Sequence, residues 1–595
     1  MKSTDAASES GRSAQIARAK FLHRSGDLVG AVGLYRVLVA HSPDDPTVLS
    51  LLGVALLQHG GTAEGVALLE RSLEANPDQP QNLYNAAVGL CALRRFDEAI
   101  LRLNRAQALA ADSPRIPCQI AIALRGLGRP RDALPYLEYA IRLDSQFPEA
   151  FSERGRVHLD LAMPDSALCD FAQVIDLDPH NADAHYHLGL AAHGCQRFEE
   201  ADAGYTRALQ LNPRLAAAYN NRGRARRALN RPEAAVRDYE CAIELDSQFA
   251  EAHNNLGVAL KVMRRFDESL KSYERAATLN PDFADVSWNI ALLHLLQGNF
   301  ESGWPLYESR WALKPPRPFT QPLWLGEQPL EGRTLLIHSE QGLGDMIQFC
   351  RFIPLLVQRC SRLIVEAPHV LIPLLSTLQS QFQLLERGKA LPAFDLHCPV
   401  MSLPLAFKTR LGSIPSQTPY LYADAGKSAA VHRALGAKLR PRIGVVWSGS
   451  SNHDDDRNRS IGPALLEAIS DLPLELHSLQ KEYHESDRAF LVGAHACIRD
   501  HSRELEDFSD TAALVSAMDV VVSVDTAVAH LCGAMAKPVW ILLPYSPDFR
   551  WLLDRSDSPW YPTATLIRQS APGDWSVVLR TVRQMLTSFA GATHR

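Results

Sequence analysis

Small and apolar positions divide the chain into two regimes. From about Ser13 to Pro315 they recur with helical spacing, and the whole pattern returns every 34 residues. One position is held by Ala19, Gly53, Ala87, Ala121, Gly155, Gly189, Gly223, Gly257 and Ala291. Twelve residues further on come Ala31, Gly65, Ala99, Ala133, Ala167, Ala201, Ala235, Ser269 and Gly303. Side chains this small at two fixed points of a repeat predict paired helices whose backbones approach closely where they cross.

A third position, 24 residues after the first, holds Pro43, Pro77, Pro179, Pro213, Pro281 and Pro315, which predicts that the second helix of a pair stops there. The phase runs through nine units without an insertion and resembles the 34-residue helix-turn-helix of tetratricopeptide repeats. Stacked units of this kind form an α-solenoid whose inner groove suits an extended polypeptide. Two residues before the first small position stand Asn85, Gln119, His187, Asn221, Asn255 and Asn289. A side-chain amide carries donors and an acceptor, so a row of them can hold a peptide backbone without reading its sequence. Asn221, Asn255 and Asn289 are consecutive members of that row and are the expected acceptor-binding residues. Arg224, Arg226, Arg227 and Lys261 extend a basic stripe nearby. The plainer alternatives are asparagine as a habitual residue of such repeats and charge as simple solvation.

Beyond Trp311 the pattern changes. Pro315, Pro316, Pro318 and Pro322 predict a stiff junction over 316–331, after which short apolar runs alternate with helical stretches, the signature of parallel βα units. Strands are expected at 334–338, 362–366, 443–447, 475–479, 520–524 and 539–543. Helices are expected at 346–359, 462–470 and 575–589, and a glycine-bearing turn at 341–345. Two successive blocks, 332–425 and 439–590, predict two Rossmann-like lobes facing a cleft.

Composition narrows the function. With 46% hydrophobic and 22% charged residues the chain has the material for buried cores and lacks the charge excess of disorder. A formal charge of -6 offers no phosphate-neutralising surface, so nucleic acid is not an expected partner. Met1 to Ser13 is polar and no run approaches a membrane span, which makes the expected location cytoplasmic. Ten cysteines without a CxxC pair, and no HExxH or GxxxxGK[ST] motif, give no zinc framework and no P-loop; no metal site is expected.

The candidate chemistry lies at strand ends in the second block. Asp525, Thr526, Ala527 and His530 stand where a buried strand gives way to a helix of small residues, whose N-terminus suits a phosphate. Simple N-capping by Asp525 or Thr526 is the competing use. The loop from Ser448 to Asn458 follows a strand of the same block, and its His453, Asp454, Asp455, Asp456, Arg457 and the adjacent Arg459 and Ser460 bring guanidinium groups toward the same anion. Gln480 and Lys481 follow another strand and complete the expected pocket.

Gln341-Gly-Leu-Gly-Asp345, Arg457-Asn-Arg-Ser460 and Asp525-Thr-Ala-Val-Ala-His530 together resemble the motifs of bacterial GT-B glycosyltransferases of the heptosyltransferase-like class, over about 332–569. Their combination with tetratricopeptide repeats resembles bacterial protein glycosyltransferases, including those that decorate flagellin with nonulosonic acids. The asparagine row resembles that of the eukaryotic O-linked N-acetylglucosamine transferase. The resemblance implies a general base at Asp345 beside the acceptor-side turn of Gly342 and Gly344. It implies a nucleotide-sugar donor held by Ser448, Arg457, Arg459, Gln480, Lys481, Asp525, Thr526, Ala527 and His530, with no cofactor beyond that co-substrate. His338 and Glu340 are the substitutes if Asp345 only caps its helix. Where heptosyltransferases carry a lysine in the second-lobe loop this chain carries arginines, which leaves the donor open. The expected function is transfer of a sugar, such as pseudaminic acid, to Ser or Thr of a protein held by the repeats, flagellin first. A lipopolysaccharide acceptor and a non-catalytic adaptor are the alternatives.

Overall fold

The computed structural model describes residues 2–378, 380–450, 456–492 and 498–592; of residues 2–11, 457, 486, 489, 490, 492 and 592 it describes the backbone alone. The periodic stretch folds as nine consecutive helix pairs, from Lys2–Arg24 with Leu28–His41 to Ala284–Leu296 with Phe300–Tyr307. The first helix therefore begins well before the repeat register at Ser13. In the second pair both small positions lie where the two helices touch. A Cβ added at Gly53 would sit 2.9 Å from the Gly65 carbonyl oxygen, and one added at Gly65 2.8 Å from that of Gly53. Where the eighth pair carries serine, its Ser269 Oγ donates to the Gly257 carbonyl at 2.7 Å. The prolines of the third register stand just past the second helices, as Pro43 does after Leu28–His41.

A fourth register becomes visible only in the backbone. The turn inside each pair contains one residue with positive φ: Gly26, Gly60, Arg94, Gly128, Ala162, Gln196, Asn230, Arg264 and Gly298. A left-handed residue closes the end of the first helix and redirects the chain. Glycine fills that place in four of the nine, so composition alone hides the pattern.

The chain divides into two compact units, Met1–Leu229 and Asn230–Arg595. The division falls inside the repeats, not at the junction near residue 315, and the last repeat shares a core with the sheet-forming segments downstream of it. Leu295, Phe300, Trp304 and Tyr307 are buried in one cluster with Leu335, Ile337, Phe349 and Trp560. Arg310, 5% exposed, reinforces it. Its guanidinium donates to Glu340 at 2.9 and 3.0 Å, to Glu308 at 2.6 Å and to Ser402 at 2.7 Å. The junction 316–331 lies along the first sheet rather than spanning free space. Trp324 is buried and its backbone N–H donates to the His397 carbonyl at 2.8 Å, while Phe319 packs on His338 and His397.

The second unit contains two sheets, both wholly parallel. The first has strands β1 (Thr334–His338), β2 (Arg362–Ala367), β3 (Gln383–Glu386) and β4 (Leu396–Pro399) in the order β3-β2-β1-β4. The second has β5 (Arg442–Val446), β6 (Glu475–Ser478), β7 (Ile498–Asp500), β8 (Val520–Val524), β9 (Val539–Leu543) and β10 (Ala564–Arg568) in the order β10-β9-β8-β5-β6-β7. The expected strands are present to within a residue at either end. β3, β4, β7 and β10 escape sequence reading because they are short and interrupted by Gln, Glu, His, Pro, Arg or Thr. The expected helix 346–359 is corrected: helix Leu343–Phe349 starts three residues earlier, and a 3-10 turn at Cys350–Phe352 separates it from Ile353–Val357. Asp345 thus lies in the first turn of a helix and not in the expected turn 341–345. The expected helices 462–470 and 575–589 are observed as Ala464–Ile469 and Ser576–Ala592. No helix among the described residues is long and apolar enough to cross a membrane.

Candidate functional site

The carboxyl ends of parallel strands are where α/β sheets present their ligand-binding groups. After β8 the chain passes through Asp525 and Thr526 into helix Ala527–Ala534. Thr526 is the N-cap, but its hydroxyl interacts with Ser523 Oγ at 3.1 Å and makes no capping bond to the helix. Asp525 does not cap the helix either. The capping alternative accordingly fails here, and the first-turn N–H groups are left without a side-chain cap. Arg459, from the short helix Asp456–Arg459, reaches this strand end: Nη1 donates to the Asp525 carbonyl at 3.2 Å, and Nε lies 3.5 Å from Asp456 Oδ1. The side chain of Arg457, and His453, Asp454 and Asp455 altogether, lie outside the described residues.

His530, one turn into the helix, is buried. Its Nδ1 shares a hydrogen with the Tyr561 hydroxyl at 2.9 Å, and its ring stacks on Trp551 with 5.2 Å between centroids. Burial, with Arg550 and Arg351 close by, holds its pKa well below that of free histidine, so the ring is neutral. Its Nε2 is 3.9 Å from Asp525 Oδ1. Burial pushes the Asp525 carboxyl up to about 6, Asp548 adds to the rise, and Arg550 and Arg459 oppose it.

The first sheet meets this group through the helix after β1. A Cβ on Gly344 would lie 2.9 Å from His530 Cδ2 and 3.4 Å from Ala527 Cα, so only glycine permits this approach. Asp345 comes next in the chain. One oxygen accepts from the Gly342 N–H at 2.8 Å, and the other from Arg550 Nη2 at 2.5 Å. Gly342, Gly344, Asp345, Arg459, Asp525, Thr526, Ala527 and His530 are thereby gathered into one region. Asp345 does engage its own helix start, as its plainer use required, and it faces the second sheet as well.

Other expected residues serve elsewhere. Gln480 is buried; its Oε1 accepts from the N–H groups of Trp447 and Ser448 at 2.7 and 3.1 Å, and its Nε2 donates to Ser448 Oγ at 2.9 Å. Ser448 in turn donates to Asp487 at 3.1 Å. The two tie the ends of β5 and β6 together. Lys481 is exposed and donates to the Ser502 carbonyl at 3.2 Å, beyond the edge strand β7. Glu340, a substitute base, is committed to Arg310. His338 pairs with His397 at 3.2 Å, and burial carries its pKa down to about 3.

In the repeats, two of the expected amides bond to neighbouring helices. Asn221, in the first unit, is buried and donates to the Tyr186 hydroxyl at 3.0 Å. In the second unit Asn255 is buried and Asn289 donates to Asn254 at 3.0 Å.

Sequence reading missed Arg550, Asp548 and Gln348. Arg550 Nη1 donates to Asp548 at 2.8 Å and its Nε to Gln348 at 2.8 Å. The available signal was position: Ser546-Pro-Asp-Phe-Arg550 lies in the loop after β9, next to β8 in the sheet.

The chain carries tetratricopeptide repeats: models described as tetratricopeptide repeat match residues 50–114, 118–162, 152–216 and 250–283, and one described as TPR repeat matches 223–262. The protein named Protein FlbA from Caulobacter vibrioides is 26% identical over 319 residues, 49% of this chain and 53% of that protein. The chain thus spans about half the length of this curated relative. Among solved structures, MamA is 24% identical, covering 28% of this chain and 97% of its own, with a TM-score of 0.27. YrrB, titled a TPR protein with an unusual peptide-binding site, is 23% identical over 31% and 95%, with a TM-score of 0.26. The Cut9–Hcn1 hetero-tetramer matches at 15% identity over 51% and 61%, with a TM-score of 0.36.

Proposed function

We propose that this protein is a metal-independent glycosyltransferase of GT-B type that moves a sugar from a nucleotide donor to a Ser or Thr hydroxyl of a protein bound by its repeats. The observation that carries the reading is the meeting of Gly344 and Asp345, after β1 of one parallel sheet, with Ala527, His530 and Arg550 at the strand ends of the other. Asp345 takes the proton of the attacking hydroxyl as its oxygen bonds the anomeric carbon and the glycosyl–phosphate bond breaks. Arg459 and the N–H groups at the start of helix Ala527–Ala534 meet the charge of the departing phosphate, which supplies electrostatic stabilisation from the protein itself. Asp525 and His530 shape the floor of this anion site. The repeats supply a polypeptide-binding surface, with flagellin as the first acceptor to test and a nonulosonic acid such as pseudaminic acid as the first sugar.

Intact-mass spectrometry of flagellin co-expressed with a nonulosonate pathway tests the reading. A sugar-sized increment with the wild-type chain and not with Asp345→Ala is the expected result. Equal modification by both removes Asp345 as the base, and no increment with either removes the transferase reading with this donor and acceptor. A non-catalytic adaptor is the second reading; it is favoured by the engagement of both Asp345 oxygens, one on Gly342 and one on Arg550.

A further inference from the structure

Arg550 is nearly enclosed, with 8% of its surface exposed, and each edge of its guanidinium has a different partner. Nη1 is on Asp548, which also accepts the Arg550 N–H at 3.0 Å and so fixes the root of the side chain. Nε is on Gln348, three residues past Asp345 on the same helix. Nη2 is on Asp345 Oδ1. The plane of the fork packs against Phe549, 4.4 Å from the ring centroid. An arginine from the loop after β9 thus reaches the helix after β1 and grips it at two points one turn apart. With Gly342 N–H on the other oxygen, the Asp345 carboxylate has no free rotation.

We propose that Arg550 is a positioning residue for the reaction: it fixes the orientation of Asp345 toward the donor site, and the two act as one unit. This rests on the glycosyltransferase reading above. A base must lie within hydrogen-bond reach of the proton it takes, and a carboxylate bonded through both oxygens is held in one plane and one orientation. The clamp also sets the distance between sheets, since the same fork that holds Asp345 is anchored through Asp548 on the second sheet's side. A lysine carries the same charge but lacks the planar fork, so it cannot hold Asp345, Asp548 and Gln348 together.

The test uses the full chain, purified flagellin as acceptor and CMP-pseudaminic acid as donor, with kcat and KM measured for wild type, Arg550→Lys, Arg550→Ala, Asp345→Ala and the double variant Asp345→Ala/Arg550→Ala. Arg550→Lys is expected to lose about 10²-fold in kcat, the scale of a misplaced reacting group, with donor KM changed less than about twofold and the protein still folded at the assay temperature. Residues that act as a unit are non-additive, so Arg550→Ala is expected to add no loss to Asp345→Ala. Wild-type kcat in Arg550→Lys, or a raised KM at unchanged kcat, overturns the proposal. So does a double variant whose loss is the product of the two singles. If Asp345→Ala falls below detection, the Arg550→Lys split decides. A wild-type protein that transfers nothing from this donor overturns the transferase reading, and this inference falls with it; an active wild type indifferent to Arg550 sinks this inference alone.

Discussion

The repeats of the first unit and the α/β region of the second bury their cores by opposite strategies. Each helix pair reuses the same small residues at the same crossing, so the contacts that hold Gly155 against Phe171 are local to one pair. In the second unit one continuous cluster runs from Ala291 in the last repeat through Ile337 of β1 to Leu566 of β10. Repetition makes stability a sum of nearest-neighbour terms, whereas a shared core makes distant segments fail together.

Four substitutions sharpen or break that contrast. The largest effect is expected for Trp560→Ala. This side chain is fully buried between Phe300 and Phe349, with centroid distances of 6.2 and 5.6 Å, and its truncation should cost about 3–5 kcal/mol. Urea unfolding measures the loss, and hydrogen exchange should accelerate in both Phe300–Tyr307 and Ala564–Arg568; acceleration in one only would show that the core is not shared. Next comes Asp525→Asn. The folded protein holds the Asp525 proton more tightly than the unfolded chain, from an ordinary 3.8 up to about 6. Below pH 4 both states are protonated; as pH rises from about 4 to about 6 the unfolded state ionises first, and wild-type stability falls relative to the variant. The gap should reach about 2–3 kcal/mol above pH 6. Urea titrations of both proteins across pH 4–7 check this, and a gap independent of pH would assign the effect to something other than ionisation.

Gly155→Val puts carbon where the Phe171 ring lies 2.7 Å away and should cost about 1–3 kcal/mol. Hydrogen exchange should localise the loss to Pro148–Leu177 and its neighbours; faster exchange throughout Met1–Leu229 would contradict nearest-neighbour behaviour. The smallest effect runs the other way. Ala162 occupies the left-handed turn with φ of 55°, so Ala162→Gly should gain about 0.5–1 kcal/mol by removing a Cβ penalty. A thermal unfolding shift of the isolated repeat transition reads it, and a loss would mean that the alanine methyl contributes more packing than strain.

The same contrast explains what could be read from sequence. Period 34 in Gly and Ala locates both helices of every pair, because a close crossing restricts side-chain volume in each copy. The left-handed register was not legible, since Arg94, Ala162, Gln196, Asn230 and Arg264 carry no compositional mark of their backbone. In the sheets, the apolar runs of β1, β8 and β9 announce buried strands, but β7, Ile-Arg-Asp, is too short and polar to do so. At the strand ends, motif residues Gly344, Asp345, Arg459, Asp525 and His530 do converge. Gln480 and Ser448 turn out to be satisfied internally, a matter of side-chain direction that position along a strand does not fix. Arg550 was invisible because its role depends on a partner 205 residues away.

Arg310 bears on how such a protein can be cut, inherited or exchanged. Its guanidinium belongs to the repeat array by sequence and to the first sheet by its bonds to Glu340 and Ser402. Recombination at residue 315 would deliver an α/β half with a buried Glu340 and no counter-charge, the kind of break that costs about 3–5 kcal/mol. A crossover between two helix pairs ahead of Ala284–Leu296, upstream of the shared core, would leave Arg310 with Glu340. The last repeat therefore travels with the α/β half, and repeats can be exchanged without breaking that core only upstream of it.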